Sequence, residues 1–263
     1  MNGVFSFGSY WPGDSPLHRL DPRAKLILGC IFIAAVLCAQ NFAALAVVAV
    51  FVVLFYTISH VPLGKAIRSL APLLFISLFA SLLNLFVVQD GATVVQLGFI
   101  RISEGGVYRC LFIGARLILM MAGMSLITMT TMTLDLTEGI ERLLSPLSRI
   151  GFPAHELGMM MGIALRFMPQ FASELVTIRR AQLSRGAASG SNPLKAIRML
   201  IALLVPLFAS AFRRANTLSA AMEARCYHGK EGRTRLHPLH FAIRDGVACA
   251  VMALLFVGIF AVA

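Results

Sequence analysis

The fold is decided by residues 26–59, which read LILGCIFIAAVLCAQNFAALAVVAVFVVLFYTIS and contain no charged side chain. A helix needs about 20 mostly apolar residues to cross the hydrocarbon core of a bilayer. This run is too long for one such helix, and the amide pair Gln40-Asn41 interrupts it. The stretch therefore predicts two transmembrane helices, at 26–40 and 42–59, which turn at the amide pair.

Further apolar segments continue this pattern along the chain, at 71–88, 107–132 and 246–263. The 263 residues are 58% hydrophobic and only 13% charged, whereas soluble domains are roughly 45–50% apolar and about 25% charged. These figures exclude a soluble enzyme as the default. They predict an all-α polytopic membrane protein with about five transmembrane helices.

Positive charge lies mostly outside these spans. Lys and Arg number 23 against 12 Asp and Glu, a formal net charge of +11, and bilayer spans tolerate few charges. The cations cluster in 1–25 and in 133–240. The positive-inside rule therefore predicts that both segments face the cytoplasm and that the C-terminus lies outside. Arg116 falls within a span, and its side chain is expected to extend to the outer surface.

The segment 133–240 is predicted to form a three-helix amphipathic domain that does not cross the bilayer. Its apolar runs, 157–165 and 199–212, are bounded by charged residues and are shorter than a typical span. A sixth span at 194–212 is the alternative. The first helix is expected to open at Asp135, with Glu138 completing a capping box.

The predicted organisation has four parts. They are a cytoplasmic lead-in at 1–25, four transmembrane helices in 26–132, the cytoplasmic helices in 133–240, and a fifth transmembrane helix in 241–263. Within the third part, the helices are expected at 135–149, 154–185 and 194–226.

The second and third of these helices end alike. Residues 181–186 read AQLSRG and residues 221–226 read AMEARC, with the arginines 40 residues apart. A cation at a helix C-terminus complements the helix dipole, so both arginines have a purely local explanation. The other interpretation is a pair of protruding arginines, whose small neighbours allow a partner's backbone to approach and whose guanidinium groups donate several fixed hydrogen bonds.

Together with residues 12–25, which read PGDSPLHRLDPRAK, these paired motifs resemble the T component of energy-coupling factor (ECF) transporters. The resemblance covers nearly the whole chain. The family's motifs are closer to Ala-Arg-Gly or Ala-Arg-Ser, so Ser184 and Cys226 are single small-for-small departures.

The resemblance implies a scaffold that docks on two ABC-type ATPase subunits and holds a substrate-binding S component in the membrane. ATP binding and hydrolysis would move the docking helices, and the S component would topple to release its vitamin inside. The implied ATPase-coupling residues are Ser184, Arg185, Gly186, Ala224, Arg225 and Cys226.

The residues themselves agree with a non-catalytic subunit without a cofactor. The sequence has no Gly-x-x-x-x-Gly-Lys-[Ser/Thr] loop, which is how a P-loop protein cradles nucleotide. The spans contain no carboxylate for acid–base work, and His228, His237 and His240 indicate a solvated basic loop rather than a metal site. The alternatives are a self-sufficient secondary transporter and an intramembrane enzyme. No nucleic-acid partner is expected.

Methionines suggest a second contact surface. Met is flexible and is over-used on surfaces that accept several partners. We therefore expect contact with the S component at Met159, Met160, Met161 and Met168. The simpler interpretation is that they fill space in the core of an apolar protein.

Overall fold

The computed structural model describes residues 10–87, 93–97, 100–187, 193–229 and 241–262. Its elements are α1 (Pro22–Cys38), α2 (Phe42–Ser59), α3 (Leu63–Val87), β1 (Thr93–Leu97), β2 (Ile100–Ser103), α4 (Glu104–Thr130), α5 (Thr133–Leu144), a 3-10 helix (Ser145–Ile150), α6 (Ala154–Ser184), α7 (Pro193–Glu223) and α8 (Ile243–Val262). The predicted all-α polytopic class is confirmed. The short antiparallel pair β1–β2 was not predicted.

The chain divides into two compact units, with the boundary between Pro146 and Leu147. The membrane unit contains α1–α5 and α8, and the coupling unit contains α6 and α7. The division therefore assigns α5 to the membrane unit, although the sequence placed it with α6 and α7 in 133–240.

Four described helices are long and apolar enough to cross a membrane. They are α2, α4, α8 and residues Lys195–Glu223 of α7. Helix α1 has 17 residues, and the apolar part of α3 is limited to Leu70–Leu85, so these two fall just short by length. The predicted spans nevertheless coincide with α1, α2, α3, α4 and α8.

The core of the membrane unit lies where α1, α2 and α8 meet, with α4 packed against α1 and α2. Ala35, Val36, Val48 and Ile259 are almost fully buried there. Helix α1 begins where the sequence motif places Asp21 before Pro22. The Asp21 carboxylate accepts a hydrogen bond from the Arg23 backbone N–H at 2.9 Å, and Pro at the first helical position has no N–H to satisfy.

Asp245 links the start of α8 to the start of α1 by hydrogen bonds. One carboxylate oxygen accepts from the Asp21 backbone N–H at 2.9 Å, and the other accepts from the Ala242 backbone N–H at 2.8 Å. Two helix N-termini that are more than 200 residues apart in sequence thus share one buried carboxylate.

Lys25 connects α1 to the junction of α4 and α5. Its side chain is buried, and the ammonium donates to the Thr130 carbonyl at 2.9 Å and to the Thr131 hydroxyl at 3.1 Å. Gly139 of α5 packs close to Pro22 and Leu26. These contacts place α5 against the start of α1.

The start of α5 differs from the expected capping box. The helix begins at Thr133 after Met132, which makes no side-chain capping bond. Asp135 therefore lies inside the first turn, where burial raises the pKa of its carboxyl, the charge of Lys25 opposes that shift, and Glu138 adds to it. Asp135 is thus a residue of the first turn within the electrostatic influence of Lys25, and it is not the residue that precedes the helix.

Arg116 of α4 is held inside the membrane unit. Its guanidinium donates to the Ala39 carbonyl, next to the end of α1, and lies 4.7 Å from the centre of the Phe112 ring. A cation at a helix C-terminus offsets the negative end of the helix dipole. The contact identifies the end of α1 as the partner of Arg116, and the extension of the side chain to the outer surface stays a prediction.

Candidate functional site

The candidate site is built on α6 and α7, two helices of 31 residues each. Each contains one internal proline, Pro169 or Pro206, which removes one backbone hydrogen bond from the helix. Arg214 of α7 pairs with Glu174 of α6, and Tyr227 beyond α7 reaches Met159 near the start of α6. Residue numbers thus rise along one helix as the numbers of the contacted residues fall along the other, so the two helices are antiparallel.

Helix α6 ends in a Schellman motif, a helix C-terminus closed by a left-handed residue. The Ala187 N–H donates to the Gln182 carbonyl at 3.0 Å, and the Gly186 N–H donates to the Leu183 carbonyl at 3.0 Å. Gly186 has φ of 84°, a conformation that suits glycine because it has no Cβ. Arg185 is the residue immediately before this turn.

The second motif has the same closure. The Tyr227 N–H donates to the Met222 carbonyl at 3.1 Å, and the Cys226 N–H donates to the Glu223 carbonyl at 2.9 Å. Cys226 takes the left-handed conformation at φ of 56°, and Arg225 precedes it. The resemblance between the two sequences, 40 residues apart, is therefore a structural repeat as well.

Both arginines are exposed. Among the described residues, neither guanidinium has a hydrogen-bond partner within the chain. Ser184 donates its hydroxyl to the Arg180 carbonyl at 3.1 Å, and no atom of the described residues lies within 4 Å of the position that a Cβ on Gly186 would occupy. The tip of α6 thus presents an exposed guanidinium with no partner in the described part of the chain.

The structure keeps the two motifs apart. Each lies at the C-terminal end of its helix, and antiparallel helices carry their C-termini at opposite ends. Arg185 and Arg225 each lie eleven residues beyond the contact of Glu174 with Arg214, so about 33 Å of helix separates them.

The four methionines of α6 differ in their exposure. Met160, Met161 and Met168 are 54%, 38% and 39% exposed. Met159 is half-buried, and its sulfur accepts a hydrogen bond from the Tyr227 hydroxyl at 3.0 Å. Met159 therefore holds the second motif against α6.

Sequence reasoning missed an apolar face on α7. Its large exposed side chains recur at helical spacing and are Ile197, Ile201, Leu204, Val205, Phe208 and Phe212. The spacing of three or four residues was the available signal. Of the histidines considered above, His228 is exposed, and His237 and His240 lie outside the described residues.

These features define a multi-pass helical membrane protein that carries a separate unit with two equivalent arginine-tipped helices. Comparison with known proteins places it further: the model of the CbiQ family, described as "Cobalt transport protein", matches residues 13–236. The chain belongs to this family and is a transmembrane T component of ECF transporters.

Curated relatives agree over almost the whole length. Each is called "Energy-coupling factor transporter transmembrane protein EcfT". The protein of Thermosediminibacter oceani is 44% identical over 96% of each chain, that of Brevibacillus brevis is 42% identical over 96% of each, and that of Bacillus subtilis is 40% identical over 90% of each. The resemblance inferred from the motifs is thereby confirmed.

The two left-handed residues should respond oppositely to substitution. Gly186→Ala places a Cβ in a conformation that disfavours it by roughly 1–2 kcal/mol, whereas Cys226→Gly relieves the same penalty. We expect hydrogen exchange of the Ala187 amide to accelerate about fivefold or more in Gly186→Ala. The Tyr227 amide should exchange more slowly in Cys226→Gly, as measured by mass spectrometry. Equal exchange in the wild type and both variants would contradict the equivalence of the two closures.

Proposed function

We propose that this ECF T component is the scaffold subunit that couples ATP hydrolysis by two ABC-type ATPase subunits to substrate release from an S component in vitamin uptake. The observation that supports it is the pair of exposed arginines, each placed by the same helix closure. ATP hydrolysis is assigned to the partner subunits, since the sequence contains no P-loop motif.

The geometry of the pair suits a dimeric ATPase with two equivalent grooves. A planar guanidinium offers several donors in a fixed arrangement, and small neighbours leave room for the walls of a groove. Ser184 and Gly186 flank Arg185, and Ala224 and Cys226 flank Arg225. Because the two tips lie at opposite ends of α6 and α7, one arginine is available to each ATPase subunit.

Replacing both arginines, in Arg185→Ala/Arg225→Ala, should abolish ATP-driven uptake because both contacts with the ATPases are lost. Each single replacement should be milder, since one contact remains. The measurement is co-purification with co-expressed ATPase subunits, together with uptake into cells that contain the complete transporter.

A matched control replaces two other exposed arginines on the same helices, in Arg179→Ala/Arg213→Ala. This variant removes the same charge and should retain ATPase binding and uptake. Normal uptake by the Arg185→Ala/Arg225→Ala protein, present at wild-type level in the membrane, would refute the coupling role.

The S component is proposed to contact the exposed methionines of α6, namely Met160, Met161 and Met168. Their flexible thioether side chains suit a surface that accepts partners of different shape. Met159 was grouped with them from sequence, and its bond with Tyr227 adds an internal role for that residue.

A triple Met160→Ala/Met161→Ala/Met168→Ala variant should weaken S-component capture about tenfold or more, because it truncates three side chains that the proposed interface would bury. ATPase capture should persist because the arginines are intact. Leu147→Ala/Ile150→Ala, which truncates two exposed apolar side chains outside α6, is the control. Undiminished capture of every S component tested would reject the methionine surface.

We also propose that the protein lies in a prokaryotic cell membrane with its N-terminus and coupling unit in the cytoplasm and its C-terminus outside. The cation distribution supports this orientation. The apolar α7 is proposed to stay out of the bilayer interior, since it pairs through Arg214 with the more polar α6.

Cys226 tests the orientation, because it is exposed and belongs to the coupling unit. After replacement of the other four cysteines by serine, a membrane-impermeant maleimide should label Cys226 in inside-out vesicles and not in intact spheroplasts. A Gln40→Cys variant, in the turn between α1 and α2, should show the reverse. Labelling of Cys226 in intact spheroplasts would invert the proposed topology.

A further inference from the structure

Arg214 on α7 lies across one stripe of α6. Its guanidinium donates to the Gln170 side-chain oxygen and, at 3.3 Å, to a carboxylate oxygen of Glu174. The same group lies 5.6 Å from the centre of the Phe167 ring and 5.4 Å from that of the Phe171 ring. These four partners occupy positions i, i+3, i+4 and i+7, which form a single face of a helix.

This contact restricts the angle at which α7 crosses α6 more than it stabilises the fold. Arg214 and Glu174 keep 34% and 25% of their side-chain surface exposed, and ion pairs in contact with water contribute little to stability. The guanidinium is a rigid plane, however, and here it meets two polar acceptors and two ring faces at once. That combination defines how α7 crosses α6, and a flexible lysine could not reproduce it.

The contact also lies midway between the two arginine tips. Arg214 precedes Arg225 by eleven residues, and Glu174 precedes Arg185 by eleven residues, so each arm measures about 16 Å along its helix. A rotation of about 10° at this point would displace each tip by about 3 Å. A displacement of that size is enough to remove a hydrogen bond in a groove.

We propose that Arg214, held by Glu174 and the Phe167–Phe171 ring pair, is a positioning residue that sets the crossing of α6 and α7 and thereby the spacing of Arg185 and Arg225. Its part in coupling rests on the function proposed above. Its effect on helix spacing is a property of this chain alone and is measurable without the partners.

The test measures the distance between spin labels on the two arms by pulsed electron paramagnetic resonance, using the full-length chain in lipid nanodiscs. The labels are placed at Ala181→Cys and Ala221→Cys, equivalent exposed positions one turn before each motif, after the native cysteines are replaced. Arg214→Ala and Glu174→Gln should broaden the distance distribution, because the angle between the two helices is then no longer fixed. Arg213→Ala, which removes the neighbouring exposed cation, should leave it unchanged.

A conservative substitution supplies a second check. Arg214→Lys keeps the charge and loses the planar guanidinium, so it should broaden the distribution as Arg214→Ala does. Distributions for Arg214→Ala and Glu174→Gln that superimpose on the wild type would overturn the inference, whatever the arginine motifs prove to do.

A second measurement joins the spacing to coupling. In the reconstituted complex, Arg214→Ala should still bind the ATPases, because Arg185 and Arg225 are intact, while substrate transported per ATP falls about threefold or more. Unchanged transport per ATP despite an altered distance would overturn the positioning role. Failure of the proposed function would be seen separately, as normal transport by Arg185→Ala/Arg225→Ala.

Discussion

The buried ammonium of Lys25 is the interaction on which the membrane unit depends. A charged group taken out of water costs several kcal/mol unless it is paired and hydrogen-bonded. Lys25 meets this condition through the Thr130 carbonyl and the Thr131 hydroxyl, with Asp135 and Asp245 as neighbouring negative charges. Because these partners come from α4, α5 and α8, satisfying one charge brings the start of α1, the α4–α5 junction and the start of α8 together.

Helices α5, α6 and α7, which lie between α4 and α8 in the chain, fall into two groups, according to whether they belong to the membrane unit. Helix α5 is held against α1 by the packing of Gly139 on Pro22 and Leu26, whereas α6 and α7 form a unit of their own. Within that unit, backbone closures place the arginines at the helix ends, and the contact of Arg214 with Glu174 joins the two helices. The proposed division is therefore between a fixed helix at the membrane and a paired arm that contacts the ATPases.

Much of this was predictable because the signals are local. The ends of α6 and α7 were placed within three residues, since a left-handed helix closure depends on five or six consecutive residues around Gly186 and Cys226. The start of α5 was misplaced by two residues, because the helix begins at Thr133 without a side-chain cap. Asp135 therefore lies in its first turn, where the charge of Lys25, over 100 residues away, influences its carboxyl. The contact of Arg116 with Ala39 was missed for the same reason.

The sequence by itself determined that the chain is helical and membrane-embedded, where its apolar helices lie, and that two helix ends repeat after 40 residues, because hydropathy and helix closure act over short stretches of chain. Only the tertiary structure decided that Lys25 bonds to the end of α4 and that α5 belongs to the membrane unit. The same holds for two contacts between α6 and the following segment, Tyr227 with Met159 and Arg214 with Glu174. Those pairings join residues from 40 to more than 100 positions apart. They depend on how the helices pack, and no local pattern encodes that geometry.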